Sequence, residues 1–403
     1  MICNGTTPIK IKTLHGPFEF RLQRFIDREY PSLPHRTYFD LTDQFQEDYV
    51  SDRLKEFSAY YSNRLSYIDV SDLIERVTGF RQLSDQKIHH VVVEKAQALS
   101  QACVAQVEET LSKTSGSVIN IDPDVDIYDP ESREILIFED AIQVRGQKEN
   151  RIRKQSVIKE EVPEKSAPKK TSAVSSDVIL FENKDGDLEY LTAPIDRQGK
   201  AIIPVADILK SRVIEDYGKE EKPLPIIAIT DGAKIIREHL WAVFGITVLI
   251  ILDWYHLGKK IRDLMSMIAL NKDEKNQHLK FMFYHLWRGD VVTVLNYLVE
   301  QVQPKNAEKH LELINYLEKH QHEIIDYRSR QIAGKPIGSG SIEKGCDQVI
   351  GRRQKKKGMS WRPAGSRSLG ILKVIELNNE WDSVWFPQEA ANDPSNLRLV
   401  SNA

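Results

Sequence analysis

The spacing of apolar residues changes character along the chain, and each change marks a region. From Phe18 to about Ser112 they recur at helical intervals: Leu22, Phe25 and Ile26, then Leu54 and Phe57, then Val70, Leu73, Ile74 and Val77, and last Ile88 to Leu99. That period predicts amphipathic helices, so residues 1–130 are expected to form an N-terminal helical region. Within it Ser66 to Gly79 reads as a helix stopped by glycine, and Leu83-Ser84-Asp85 opens a second. Helix, glycine turn and capped second helix is what a helix-turn-helix needs, with His89, His90 and Lys95 on the second helix. On that pattern residues 1–130 are expected to be a DNA-binding region; plain packing of two helices accounts for the same spacing.

Beyond a turn-rich connector the period breaks. Ile135-Leu136-Ile137-Phe138 is a continuous apolar run, as a strand buried on both faces requires. It ends in Glu139-Asp140 and resumes at Ile142 and Val144. Residues 145–177, rich in Lys, Glu, Ser and Pro, are expected to be a mobile loop. Val178 to Leu191, turning at Lys184-Asp185-Gly186-Asp187, predicts a β-hairpin. A helix follows over 205–217, a strand over 225–229, a helix over 234–244 and a strand over 247–252. Each of those two strands ends in an acid, Asp231 and Asp253. Residues 131–256 thus form the first part of an α/β core. Residues 257–331 return to helical spacing and predict an all-α insertion; 332–390 resume the core, and 391–403 are a polar tail.

The chain of 403 residues has a net charge of −3, so any nucleic-acid contact must come from local patches rather than overall charge. Three scattered cysteines exclude a disulfide framework or a four-cysteine zinc site. With no secretory h-region in Met1 to Lys12 and no apolar run near the roughly 20 residues of a membrane span, a cytoplasmic setting is expected.

One stretch concentrates the candidate chemistry. Gly338-Ser339-Gly340-Ser341-Ile342-Glu343 is a tight loop opening a helix through Ser339 or Ser341 as N-cap, with Glu343 in the first turn. Seven cations and no acid then lie between Arg352 and Arg367. A fixed carboxylate beside a cationic surface suits chemistry on a polyanion. Asp140, Asp231 and Glu343 could together hold two divalent cations, which clamp the attacking and leaving oxygens of a phosphodiester. Taken singly, Asp231 and Asp253 could be helix caps, Asp140 a chance acid, and Glu343 a first-turn helix acid.

At these residues the sequence resembles the bacterial insertion-sequence transposases of the Kra type, members of the DDE superfamily related to Mutator-like transposases. The resemblance rests on Asp231-Gly232-Ala233, Leu252-Asp253-Trp254-Tyr255-His256, the Gly338 to Glu343 loop, Gly358-Met359-Ser360-Trp361, and Asn379-Glu380-Trp381-Asp382 with Trp385. It implies a ribonuclease-H-like catalytic core interrupted by an all-α insertion. It also implies Asp140, Asp231 and Glu343 as catalytic and metal ligands for two Mg²⁺, with Mn²⁺ able to substitute. His256, Arg352, Arg353, Lys355, Lys356, Lys357 and Trp361 are expected to contact DNA, with Asp253 supporting the acids from behind. The partners expected are transposon-end and target DNA and further copies of the chain, as a homodimer or higher oligomer. Two departures stand out. The first strand reads Phe138-Glu139-Asp140-Ala141 rather than Asp-Gly, leaving Asp187 as a fallback first acid, and the N-terminal Cys-rich segment of many relatives is missing.

Overall fold

The computed structural model describes residues 2–32, 34–37, 49–113, 121–122, 124–147, 172–219 and 222–387. It is an α/β protein built on two sheets. The expected helix at Phe18 to Ile26 is instead a strand: β1 (Ile2–Thr13) and β2 (Gly16–Ile26) form a long antiparallel hairpin. Alternation decides it. Phe18, Phe20 and Leu22 are separated by Glu19 and Arg21, a period of two that a strand presents on one face. The short strands β3 (Arg36–Thr37) and β4 (Tyr49–Val50) flank the hairpin. Helices α1 (Asp52–Ser62), α2 (Tyr67–Thr78) and α3 (Asp85–Lys113) follow. Ser66 caps α2 through a capping box, and Gly79 ends it at φ +77°.

The second sheet has five strands: β5 (Ile135–Arg145), β6 (Ala173–Glu182), β7 (Leu188–Leu191), β8 (Ile226–Thr230) and β9 (Val248–Leu252). Their order is β7-β6-β5-β8-β9; the first three run antiparallel in succession, and β8 and β9 run parallel to β5. The expected loop over 145–177 is shorter than its composition predicts. Ala173 to Asp177 pair with β5, Arg145 opposite Ala173, because backbone pairing needs no apolar side chain. Residues 148–171 lie outside the described residues.

The sheet is covered on both sides, which is why its strands are continuously apolar. Ile135 and Ile137 face one core with α4 (Val205–Tyr217) and α5 (Lys234–Phe244). Leu136, Phe138, Ile142 and Val144 face the other, larger core. The all-helical block is α6 (Trp254–Ile268), α7 (Lys272–Leu286), α8 (Val291–Gln301), α9 (Ala307–Lys319) and α10 (Tyr327–Ile332). It joins the larger core around Trp254, whose ring meets those of Phe283, Trp287 and Tyr327. The chain then returns to the sheet through α11 (Gly340–Cys346), which runs on as a π-helical turn (Asp347–Gly351) and α12 (Arg352–Gln354). It closes with α13 (Pro363–Leu377), lying against α3, and α14 (Trp381–Trp385). Among the described residues no helix is long and apolar enough to cross a membrane.

Candidate active site

Three acids fall in one row across the parallel strands. Phe138 pairs with Ile229, and Thr230 with Leu252. Continuing those registers sets Asp140 opposite Asp231, and Asp231 opposite Asp253. The Asp253 N–H still donates to the Thr230 carbonyl at 2.8 Å, so the ladder does run on to this row. Strand alternation turns Asp140 toward the larger core, where α11 packs on β5 and β6. Glu139 faces the opposite side, buried against His239 at 3.2 Å, and takes no part in the row. Asp187 is excluded from it: it lies in the β6–β7 turn, at the end of the sheet away from Asp231.

Burial raises the pKa of Asp140. A hydrogen bond from the Ala141 N–H opposes that, and the charges of Asp231 and Glu343 push it up again while His256 lowers it. Electrostatically, then, Asp140, Asp231, Glu343 and His256 share one neighbourhood. Behind Asp140 sits the buried thiol of Cys346, pushed up to about 12 by burial and by the Asp140 charge.

Asp231 is exposed at the head of a tight turn and accepts the Ala233 N–H at 2.8 Å. Gly232 is required there: its φ is +84°, and a Cβ would lie 2.8 Å from His320. The turn is braced from the helical block. Arg237 pairs with Glu323 at 2.9 Å, His320 with Glu323 at 2.6 Å, and the Glu323 carbonyl accepts the Leu252 N–H at 2.9 Å. No local motif announces these three residues; two of them come from the turn just after α9.

Asp253 is buried and ties the row to the glycine-serine loop. Its Oδ1 accepts the His256 N–H at 2.7 Å, capping α6; its Oδ2 accepts the Ser339 N–H and, at 2.6 Å, the Ser339 hydroxyl. Burial would raise its pKa, but the hydrogen bonds from His256 and Ser339 prevail and hold it down at about 2. Gly338 permits the approach, since a Cβ there would meet the Tyr255 ring at 2.6 Å. Ser339 does occupy the N-cap position of α11, but makes no side-chain cap bond because its hydroxyl is spent on Asp253. The loop delivers Glu343 to the front of the site, its side chain 63% exposed and 3.6 Å from His256 Nε2. His256 Nδ1 lies 3.5 Å from Asp253 Oδ1. Asp253 first, then Glu343 and Asp231, raise the His256 pKa against the effect of its burial.

The basic segment divides into two sets. Lys355, Lys356 and Lys357 are exposed, as is Arg352, which pairs with Asp347 at 2.9 Å. Arg353 and Trp361, expected on DNA, are buried. Arg353 donates to the Ser62 carbonyl at 2.7 Å and lies 5.0 Å from the Trp361 ring; Trp361 donates its indole N–H to the Gln354 carbonyl at 3.0 Å. Side chains buried and bonded in this way are fastened into the fold. The helix pair forms as expected, with two of its three marked side chains engaged within the fold. Lys95 donates to the Val384 carbonyl at 2.8 Å and lies over the Trp385 ring, so α3 uses it to seat the C-terminal helices. His89 meets Tyr67 edge-on, and only His90 of the three points away, toward Glu94. Sequence reasoning missed Arg64 and Lys373, which join Arg352 and Lys356 around a cationic recess of about 350 Å³.

No family model, no curated protein and no solved structure matches the chain.

The oxygen donors of Asp140, Asp231 and Glu343 suit a hard divalent cation; burial raises the Asp140 pKa, and the neighbouring Asp231 and Glu343 charges add to it. As placed, they do not close on one point: among the described residues no group of three His, Cys, Asp or Glu side chains is close enough to hold a metal ion. Any ion here would take one or two carboxylates and complete its shell with water and substrate oxygens.

Proposed function

We propose that the chain is a DDE transposase, cutting and joining DNA at a ribonuclease-H-like core under Mg²⁺ or Mn²⁺. The observation that carries this reading is geometric: the strand registers bring Asp140 and Asp231 to the same end of the sheet, and the Ser339–Asp253 bond ties the Glu343 loop beside them, with Glu343 3.6 Å from His256. The strand order β7-β6-β5-β8-β9, with an antiparallel first half and a parallel second half, is the order such a core has. Bound divalent cations would lower the pKa of the attacking water or 3′-hydroxyl and stabilise the leaving 3′-oxygen. Asp140, Asp231 and Glu343 would hold those ions. His256, its positive charge favoured by Asp253 and Glu343, would face the scissile phosphate. Lys355, Lys356 and Lys357 would hold neighbouring phosphates, contacts that orient DNA without reading its sequence. Asp253 supports the site by fixing the Glu343 loop. Synapsis of two ends calls for a dimer or larger assembly on DNA, in the bacterial cytoplasm.

The test is metal-dependent nicking and strand transfer on DNA carrying the element's own ends, comparing wild type with Asp140→Ala and Glu343→Ala. Loss of both activities in each variant is expected. Nicking without joining in the wild type would make the protein a nuclease of the same core. A third reading is a catalytically inactive DNA-binding relative of such an enzyme. DNA binding with no cleavage under either metal would establish it.

A further inference from the structure

A second recess opens on the other flank of the basic segment, between the α2–α3 pair and residues 358–362. Its volume of about 660 Å³ is typical of small-molecule pockets, which span roughly 300–1,000 Å³. Its lining differs from that of the cationic recess. Tyr67, Gln86 and His89 come from the helix pair, Gln147 from beyond β5, and Arg362 from the segment after the lysines. Asp85 also lines it, so the recess is poorly suited to a phosphate. Beneath it the Arg353 guanidinium lies 5.9 Å from the Tyr67 ring and 5.0 Å from the Trp361 ring. The Tyr67 hydroxyl is buried and has no hydrogen-bond partner among the described residues. Native structures rarely keep such a group unless something else satisfies it.

We propose that this recess takes an unstacked nucleobase of the bound DNA strand. The inference rests on the DNA-handling reading above and adds a site to it. The Gln86 amide and the Tyr67 hydroxyl offer donors and acceptors, as a base edge requires; the Gln147 amide, which already donates to the Ser360 carbonyl at 3.2 Å, keeps its oxygen and a second N–H. Burial first, then His90 and Arg362, lower the His89 pKa, so its ring presents one donor and one acceptor rather than a charge. The aromatic and guanidinium planes supply the stacking that every base accepts. A strand crossing the lysines would leave its phosphates on the cationic flank and turn a base into the recess. The helix pair, whose Lys95 is committed to the C-terminal helices, would then serve DNA by walling this pocket rather than by entering a groove.

The experiment measures binding of the full chain to a 15-nucleotide oligothymidine and to an all-abasic strand of equal length, at fixed salt. Wild type should bind the thymidine strand about fivefold or more tightly than the abasic one, the scale of base–aromatic stacking. Tyr67→Phe should cost about three- to tenfold on oligothymidine and nothing on the abasic strand, the scale of one hydrogen bond. Because the hydroxyl has no partner among the described residues, Tyr67→Phe should leave Tm unchanged or raise it, which separates a ligand contact from a structural one. Equal binding of both strands by wild type, or a Tyr67→Phe effect equal on both, overturns the pocket and leaves the DNA reading standing. If wild type bound neither strand nor duplex DNA, both would fall.

Discussion

The Ser339 hydroxyl donates to Asp253 Oδ2 at 2.6 Å, joining the end of β9 to the loop that carries Glu343, 86 positions further along the chain. Asp253→Ala removes the shared acceptor and strands buried donors, so a loss of about 2–4 kcal/mol is expected in urea unfolding. The pH dependence has a definite sign. Folding lowers the Asp253 pKa to about 2, so its stabilisation is complete above the unfolded value near 3.9 and lost as pH falls toward 2. Asp253→Asn should therefore lose stability less steeply than wild type below about pH 4. Parallel curves would remove Asp253 from this role.

Asp140 has the opposite sign. Its raised pKa means that the folded state prefers the proton, so its charge costs stability at neutral pH. That cost shrinks as pH falls through the folded pKa and is gone below the unfolded value of about 3.9. Asp140→Asn should raise Tm at pH 7 and converge with wild type in acid. Mg²⁺ or Mn²⁺ should raise the wild-type Tm, since an ion at ten times its Kd stabilises by about 1.4 kcal/mol, and should do less for Asp140→Asn. A lower Tm for the variant, or equal metal shifts, would contradict the uncompensated cluster.

The basic segment should separate by burial. Arg353→Ala should cost about 2–4 kcal/mol of stability, because a buried charged donor is lost from Ser62 and Trp361. Lys357→Ala should stay within about 0.5 kcal/mol of wild type yet reduce the salt slope of duplex binding by about 0.9, one phosphate contact. Thermal melts and a salt titration of binding decide it; a stable Arg353→Ala with a reduced slope would return that residue to the DNA surface.

The strands of the second sheet were legible because burial on both faces writes an unbroken apolar run, as in Ile135 to Phe138. The loop holding Glu343 was legible because Gly338 and Ser339 have few other uses side by side. The β1–β2 hairpin was not, since Leu22, Phe25 and Ile26 also satisfy a helical spacing and only the Phe18-Phe20-Leu22 alternation argues otherwise. Arg353 and Lys357 look alike as letters in one basic run. Their difference is made by Ser62 and Trp361, which only folding brings there. The same holds for Arg237, His320 and Glu323 under the Asp231 turn: a brace assembled from two elements has no local spacing to read.

The assembly of the site can be checked without any reaction. Asp253, Glu343 and Asp231 each raise the His256 pKa, and Glu343 lies 3.6 Å from its Nε2. Neutralising Glu343 with Glu343→Gln should lower the His256 pKa in an NMR titration of the imidazole resonances, and Asp231→Asn should lower it by less, as the more weakly coupled charge. Asp187→Asn, at the other end of the sheet, should leave it unmoved. The order of these three shifts tests the placement of the acids around His256. A His256 resonance that responded to Asp187 but not to Glu343 would mean that the glycine-serine loop does not bring its carboxylate to the row of strand-end acids.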